Sequence, residues 1–393
     1  MEFINVKNED LLTIGLKGHI DSTNADKVEA EITEVRNENE GKNIIIDAKD
    51  LEYISSAGLR IILRLKKVCP DLKIVNVNSE VYEVFDITGF TEMLPVEKAY
   101  REVSVDGCEV IGQGANGKVY RIDPDTIVKM YINPDSLEEI QKERELARTA
   151  LILGIPTAIP YDVVKIGDSY GSVFELLNAT SFAKIIINDP SKLDEVVAMS
   201  VDLLKKIHST EVKPGVMPDE KAIVLDWASF MKDYLPEEDG KKLYDLVDAV
   251  PEDNHMLHGD YHLKNVMLQN GEVLLIDMDT LCVGNPIFEF GSIFNAYQGY
   301  SEFDHENIKN FLGITYEQGK EFWEKTLKLY FDNKTDEQIK EIEDKAKLLG
   351  FTRIVRRSIR RGGLEDPVEK AHIDEYIKRI SELLTRIDTL LID

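Results

Sequence analysis

The chain has 393 residues, of which 43% are hydrophobic, and a formal charge of −26 at pH 7. This length exceeds what one core usually organises, so we predict two domains. The acidity argues against nucleic acid and anionic membranes as partners. Three cysteines without pairing or metal spacing indicate a reducing compartment, and we see no signal peptide and no apolar run of about 20 residues, so we expect a cytoplasmic protein with no membrane partner.

The first 98 residues alternate between strand-like and helix-like segments. Apolar alternation bounded by turn residues predicts strands over 11–16, 43–47 and 73–77. Helical periodicity predicts helices over 23–37, 56–68 and 79–88. Such alternation predicts a small α/β sandwich as an N-terminal domain, residues 1–98.

The sequence of residues 51–59, Leu-Glu-Tyr-Ile-Ser-Ser-Ala-Gly-Leu, resembles the signature of the STAS domain of sulfate transporters and anti-sigma factor antagonists. In the antagonists a partner kinase phosphorylates the serine that precedes a small residue and the glycine, so the resemblance makes Ser56 a candidate phosphoacceptor and implies a protein partner. A helix N-terminus suits a bound anion. Ser55 stands where the antagonists commonly carry aspartate, and the alternative is that Ser56 caps its helix.

A glycine-rich segment lies between two strand-like runs in the second part of the chain. Gly112, Gly114 and Gly117 have Gly-x-Gly-x-x-Gly spacing. Because no long helix opens there, the pattern favours a hairpin over phosphates rather than a dinucleotide-binding turn. Lys129, on the following strand-like run, has the position of the lysine that pairs with the α and β phosphates of ATP in protein kinases. The alternative is an edge-strand lysine that prevents aggregation.

We predict a helix that begins near Ser136, with Glu139 completing a capping box. This helix offers four carboxylates as partners for Lys129, namely Glu138, Glu139, Glu143 and Glu145. We select Glu143 because it lies near the apolar stripe of the helix. The alternative for each glutamate is a solvated acidic face.

Two further segments carry ligand-type residues. Residues 258–265 read His-Gly-Asp-Tyr-His-Leu-Lys-Asn, and residues 274–279 read Leu-Leu-Ile-Asp-Met-Asp. Asp260 has the chemistry to orient or accept the proton of an acceptor, and Asn265 and Asp277 offer oxygen ligands to Mg²⁺, as phosphoryl transfer from Mg-ATP requires. The alternative is that these three are loop residues that cap turns.

These segments resemble the aminoglycoside phosphotransferase and choline kinase family of the protein-kinase-like fold, whose motifs read His-Gly-Asp-x-His-x-x-Asn and Ile-Asp-x-Asp. His258, His262 and Asp279 complete the motifs as supporting residues. The chain departs from the family at Asn285, where aspartate is usual, and at Glu289, where an aspartate is usual nearby; we place both outside the catalytic set.

The same resemblance implies a bilobal α+β domain over 104–393, with an N-lobe to about 178 and a C-lobe from about 179. In that family the backbone of the interlobe linker holds adenine, which assigns this role to the segment from Glu175 to Asn178, including Leu177. A predicted helix over 192–209 carries His208 near its end, where we expect the imidazole to pack.

An arginine cluster is an exception to the acidic character of the chain. Its members fall at i, i+3, i+4, i+7 and i+8 of a predicted helix that ends at Gly362, and they are Arg353, Arg356, Arg357, Arg360 and Arg361. The functional interpretation is a site for an anionic acceptor, a phosphorylated partner or the phosphate tail. The alternative is pairing with acidic groups of the same molecule.

Together these patterns predict an ATP- and Mg-dependent phosphotransferase regulated by a fused STAS domain. The predicted reaction moves the γ-phosphoryl group to a hydroxyl of a small molecule, either an amino- or hydroxyl-bearing metabolite or an antibiotic. A protein serine such as Ser56 is an alternative acceptor. The alternative from another class is a signalling scaffold in an anti-sigma antagonist pathway that has lost turnover.

Overall fold

The structure is a computed structural model that describes residues 3–8, 11–39, 41–113, 117–133 and 136–392. The contacts within the chain divide it into two compact units. The first unit runs to Ser104 and also includes Val163–Asp168, and the second comprises Val105–Asp162 and the chain from Ser169 onward. Among the described helices, none combines the length and apolar character that a bilayer crossing requires.

The first unit is a five-stranded sheet with helices, in the sheet order β1-β2-β3-β4-β5. Strand β1 is antiparallel to β2, and the remaining neighbours are parallel. Its elements are β1 (Ile4–Asn8), β2 (Leu12–Ile20), α1 (Ala25–Glu38), β3 (Ile44–Ile54), α2 (Ser56–Val68), β4 (Lys73–Val77), α3 (Ser79–Ile87), α4 (Phe90–Met93) and β5 (Val96–Lys98). The predicted α/β sandwich is therefore confirmed.

Helix α2 packs on the sheet through an apolar stripe that includes Leu59, Ile62 and Leu65, all buried. Gly58 makes this packing close, because a Cβ there would lie 2.6 Å from the Ile54 side chain. Ser55 is the N-cap of α2, and its hydroxyl accepts from the Ala57 amide at 3.2 Å. Ser56 is the exposed first residue of the helix, so the interpretation of Ser56 as the cap was wrong.

The six-stranded sheet carries the small lobe of the second unit. Its strands there are antiparallel in the order β11-β9-β8-β7. Strand β6 pairs in parallel with the part of β10 that is grouped with the first unit, Val164 opposite Arg101. The elements from β6 to β11 are β6 (Arg101–Glu102), β7 (Glu109–Gln113), β8 (Gly117–Asp123), β9 (Thr126–Tyr131), α5 (Leu137–Ile152), β10 (Pro160–Ile166) and β11 (Ser169–Glu175).

Helix α5 begins where the sequence predicted, but the predicted capping box is absent. Ser136 has φ −82° and ψ 12°, which is not the extended N-cap conformation. Its hydroxyl instead donates to the Asn133 carbonyl at 2.6 Å. The helix is therefore held by its buried residues, which include Ile140, Leu146 and Ala147.

The large lobe is mainly helical and is built around α10, whose residues are buried on nearly every side. Phe290 and Phe294 of this helix pack on Trp323, and Tyr297 stacks on Phe322. The elements are β12 (Thr180–Ser181), α6 (Phe182–Asn188), α7 (Leu193–His208), α8 (Glu220–Met231), α9 (Glu237–Asp248), β13 (Met256–Leu257), β14 (Val266–Gln269), β15 (Glu272–Leu275), β16 (Cys282–Val283), α10 (Pro286–Tyr297), α11 (Glu306–Leu312), α12 (Tyr316–Tyr330), α13 (Asp336–Arg360) and α14 (Pro367–Leu384).

Candidate active site

The loop of residues 258–265 connects β13 to β14. It turns at Gly259, whose φ of +81° is unfavourable for residues with a Cβ. A Cβ at Gly259 would also lie 2.5 Å from the Thr280 carbonyl oxygen. Thr280 in turn donates its hydroxyl to the His258 carbonyl at 2.8 Å, and the Ile276 amide donates to the Asn265 carbonyl at 2.9 Å. These bonds fix the loop against the segment that carries Asp277.

Glu289 of α10 binds the backbone of the same loop. Its carboxylate accepts from the His258 amide at 3.0 Å and from the Gly259 amide at 2.7 Å. It also accepts from Nε2 of His208 at 2.8 Å. Burial opposes ionisation, but the hydrogen bond and charge of His208 outweigh it and lower the pKa of Glu289. The sequence interpretation treated Glu289 only as a departure from the family pattern, whereas the structure makes it a positioning residue for the loop.

Asp260 projects from this loop with a side chain that is 46% exposed. Its Oδ2 lies 3.4 Å from Nε2 of His262. Burial opposes ionisation of Asp260, but His262, together with His258 and Arg353, lowers its pKa. The group is therefore ionised at neutral pH and can accept a hydrogen bond from a hydroxyl.

Asp277 follows β15 and has a positive φ of 64°, which is uncommon for a residue with a side chain. Such conformations persist where the surrounding structure enforces them, and they cluster at functional sites. Asp279 lies two residues further on, and burial, followed by the charge of Asp277, raises its pKa. The segment thus concentrates negative charge next to the loop of residues 258–265.

Lys129 of β9 bridges two carboxylates. Its Nζ lies 2.8 Å from Oε1 of Glu143 and 2.9 Å from Oδ1 of Asp277. Burial acts against the charge of Lys129, but Glu143 and Asp277 raise its pKa, so the amine stays protonated. Glu143 is only 3% exposed. The predicted pairing of Lys129 with Glu143 is present, whereas the other three glutamates considered, Glu138, Glu139 and Glu145, are exposed.

A cavity of about 1700 Å³ within the second unit connects these groups. The predicted site residues that line it are Gly112, Gly117, Lys129, Glu143, Glu175, Leu177, Asp260, His262, Asn265, Asp277 and Asp279. His258 is fully buried and does not line the cavity; its backbone is bound by Glu289. Gly114 lies outside the described residues. At Gly117 a Cβ would lie 2.1 Å from the Met130 carbonyl, so the sheet itself requires this glycine.

The donor set of the cavity fits Mg²⁺. The amide nitrogen of Asn265 donates to the Asp260 carbonyl at 3.1 Å, which leaves the amide oxygen as the group it can offer to a cation. Asp277 supplies a carboxylate that is 42% exposed. Within the described part of the chain, no group of three or more His, Cys, Asp or Glu side chains is placed to hold a metal ion. Mg²⁺ needs no such group, because it takes one or two protein ligands together with waters and phosphate oxygens.

The arginine cluster divides into two sets. Arg353, Arg357 and Arg361 line the cavity, whereas Arg356 pairs with Asp226, and Arg360 is exposed and does not line the cavity. The prediction of one five-arginine face was therefore wrong. Positions i to i+8 of this pattern spread over roughly 140° of helix surface, too wide an arc for one ligand to face. Helix α13 ends at Arg360, and Gly362 has a φ of +84°.

Comparison with known proteins assigns both parts of the chain. The family model for the phosphotransferase enzyme family matches residues 107–322, and the model for the STAS domain matches residues 3–103. A Bordetella bronchiseptica protein named as an anti-sigma factor antagonist, BtrV, is 36% identical over 94 residues, 23% of this chain and 80% of the relative. The anti-sigma F factor antagonist of Paenibacillus polymyxa is 24% identical over 90 residues, 22% of this chain and 77% of the relative.

Solved structures similar to the chain include a thermostable mutant of the aminoglycoside phosphotransferase APH(4)-Ia, with a TM-score of 0.47, 13% identity, and coverage of 71% of this chain and 94% of that one. A choline/ethanolamine kinase family protein from Mesorhizobium loti has a TM-score of 0.44 and 14% identity, with 72% of this chain and 89% of that one covered. By the match over 107–322, more than half of its length, the chain belongs to the phosphotransferase enzyme family, and its N-terminal part is a STAS domain.

Proposed function

We propose that the second unit transfers the γ-phosphoryl group of Mg-ATP to a hydroxyl group of a small molecule, under regulation by the STAS domain, and that it acts in the cytoplasm. The observation that carries the proposal is the contact of Lys129 with both Glu143 and Asp277 in the cavity that Asp260 and Asn265 also line. A protonated amine, a carboxylate base and two oxygen ligands are the groups that this reaction uses.

Asp260 is the proposed catalytic residue. The acceptor oxygen forms a bond to the γ-phosphorus as the bond from that phosphorus to the bridging oxygen of ADP breaks. Asp260, ionised and partly exposed, orients the acceptor hydroxyl and takes its proton. His262 lies next to Asp260 and favours its ionised form.

The remaining residues bind and orient the nucleotide. Lys129, which Glu143 keeps in place, would pair with the α and β phosphates, and the glycine segment with Gly112, Gly114 and Gly117 would cover them. Asn265 and Asp277 would hold Mg²⁺, which when bound neutralises charge on the phosphates. By the family resemblance, the backbone from Glu175 to Asn178 would hold adenine.

A second candidate function is phosphorylation of a protein serine in an anti-sigma antagonist pathway. Ser56 favours this alternative because it is exposed at the first position of α2, while Ser55 occupies the cap. The proteins similar to the N-terminal part are named as anti-sigma factor antagonists. Incubation with labelled ATP tests it: label on the wild type that Ser56→Ala removes and Ser55→Ala retains supports this function, and an unlabelled wild type excludes Ser56 as the acceptor.

The test of the principal proposal is nucleotide binding followed by turnover. Mg-ATP is expected to raise the melting temperature of the full chain, and Asp277→Ala to abolish the increase through loss of a metal ligand. Glu139→Gln, an exposed glutamate on the helix of Glu143, is the matched control and should keep the increase. ADP release across hydroxyl compounds, with Asp260→Asn as the blank, then identifies acceptors. Absence of any Mg-ATP effect on the wild type would favour a scaffold without turnover.

A further inference from the structure

Arg353 and Arg357 of α13, with Arg361 directly after the end of that helix, extend from the loop of residues 258–265 along one side of the cavity. Arg353 donates to the Gly259 carbonyl at 3.5 Å and also to the hydroxyl of Ser292. Arg357 and Arg361 follow at intervals of four residues, so each lies about 6 Å further along the helix axis. All three line the same cavity as Asp260. The cationic side chains therefore begin at the proposed reaction centre and continue away from it.

In the described part of the chain, Arg357 and Arg361 have no carboxylate partner, and Arg353 interacts with the carboxyl group of Glu220 only through its charge. The chain nevertheless carries 73 acidic residues against 47 lysines and arginines. Among the residues that the structure describes, no acidic side chain forms an ion pair with Arg353, Arg357 or Arg361. Arg357 instead donates to the neutral hydroxyl of Tyr300 at 3.1 Å, with its guanidinium 5.2 Å from the centre of that ring. By contrast, Arg356 of the same helix pairs with Asp226. Arg360, exposed outside the cavity, likewise forms no ion pair among the described residues, so what distinguishes Arg357 and Arg361 is that they lack such a partner and also line the cavity.

The two carboxylates that line this part of the cavity have other hydrogen-bond partners. Asp304 accepts from the Glu306 amide at 3.0 Å at the start of α11. Glu369 accepts from the Ser358 hydroxyl at 2.9 Å. Neither lies within ion-pair distance of a described arginine of the cavity, so the guanidinium groups keep their capacity to bind an anion.

We infer that the acceptor of this phosphotransferase is an anionic small molecule, a hydroxyl compound that also carries a phosphate or carboxylate group. Its hydroxyl lies at Asp260, and its anionic group is bound by Arg357 and Arg361. Guanidinium groups bind such oxygens in bidentate fashion, and two arginines one turn apart can share one group. This inference rests on the proposed function, and it excludes a purely cationic acceptor for this end of the cavity.

Matched acceptor pairs test the inference. Ribose 5-phosphate against ribose, and gluconate against glucose, differ by one anionic group, and kanamycin serves as the cationic probe. We expect the anionic member of a pair to bind the full chain in the presence of Mg²⁺ and a non-hydrolysable ATP analogue, and to support the higher kcat/KM in ADP release. Arg357→Gln and Arg361→Gln should each weaken binding of that acceptor about 10- to 100-fold, or about 1.4–2.8 kcal/mol, which is the range of one charge-assisted hydrogen bond.

Arg360→Gln is the matched control, since Arg360 lies on the same helix outside the cavity; its acceptor affinity should stay within about twofold of wild type, within the range of an exposed substitution. The KM for ATP should stay unchanged in all variants, and a fall in ATP affinity would show instead that the arginines bind the nucleotide. Preference for ribose, glucose or kanamycin, binding of a phosphorylated peptide alone, or failure of every anionic probe to bind would overturn the inference. Turnover of a neutral or cationic acceptor would do so while the proposed function stands, whereas a wild type that does not respond to Mg-ATP rejects the proposed function itself.

Discussion

The two ends of the cavity differ in how their charges are compensated. At one end, Lys129 is held between Glu143 and Asp277, both within 3 Å of its Nζ. At the other, Arg357 and Arg361 face the cavity without a described carboxylate partner. The first end is pre-organised by the chain itself, which suits a ligand common to a whole family. At the second end the arginine charges remain for a ligand to compensate, which suits the acceptor, the substrate that varies.

The most sensitive position in this comparison is Asp260, between the two ends. Asp260→Asn keeps the size of the side chain but removes the base, so kcat should fall about 10²- to 10⁴-fold. The increase in melting temperature with Mg-ATP should remain, because Lys129, Asn265 and Asp277 are intact. Single-turnover ADP release together with thermal unfolding measures both quantities. A variant with near wild-type kcat would remove Asp260 from the reaction.

Substitution of Glu289 tests whether the Lys129 end of the cavity depends on a rigid support. Glu289→Ala leaves the amides of His258 and Gly259 and the ring of His208 without their buried acceptor. The free energy of unfolding should fall by about 3–5 kcal/mol, as for other buried charge pairs that lose one partner. Urea unfolding checks this value. Asn285→Ala, which removes only the cap of α10, is the comparison and should destabilise by about 1 kcal/mol.

Removal of Mg²⁺ tests whether the Lys129 end of the cavity binds its ligand through a metal ion. A ligand at 100 times its Kd stabilises the native state by about 2.7 kcal/mol, so Mg-ATP should raise the melting temperature measurably. Chelation of Mg²⁺ by EDTA should remove most of this increase, and Asp277→Ala should remove it with Mg²⁺ present. If EDTA leaves the increase intact, Asn265 and Asp277 do not act through a metal.

Glu220 provides a test at the arginine end of the cavity, because the carboxyl group of Glu220 interacts with the charge of Arg353. Burial raises the pKa of Glu220 to about 7, against the attraction of Arg353. A raised pKa means that the folded state retains the proton, so this contribution to stability is present below the ordinary pKa near 4.5 and is lost as the pH rises through 7.

Glu220→Gln fixes the neutral form. Relative to the variant, the wild type should therefore lose about 2 kcal/mol of stability between pH 5.5 and pH 8. Denaturant unfolding of both proteins across this range gives the difference directly. A variant that is uniformly less stable, with no dependence on pH, would show that Glu220 is ionised and compensates Arg353 throughout.

Local patterns predicted much of the fold. The bounds of α2 and β4 agree with the predicted segments because the apolar pattern that defines each element lies within it. Strands β2 and β3 extend beyond the predicted ends, since their pairing continues through irregular register near Lys17 and Gly18, where alternation is lost. The short edge strands β1 and β5 were not predicted, because they contain too few apolar residues to show a period.

The site was predictable where function follows from spacing along the chain, and less so where it follows from packing. Glu143 could be selected from four glutamates because its position relative to the apolar stripe is local. The role of Glu289 could not, because it depends on a contact with amides some 30 residues away in sequence. The division of the arginines likewise depends on Asp226, which only the tertiary structure brings to Arg356.

Gly259 limits what the motif of residues 258–265 can indicate about activity in other sequences. The glycine is required because of its positive φ and the nearby Thr280 carbonyl, which are properties of the backbone and not of the reaction. Selection should therefore preserve it even in a descendant that no longer turns over substrate. A search for this glycine detects the loop shape alone, and loss of activity in a relative would show first at Asp260 or Asp277.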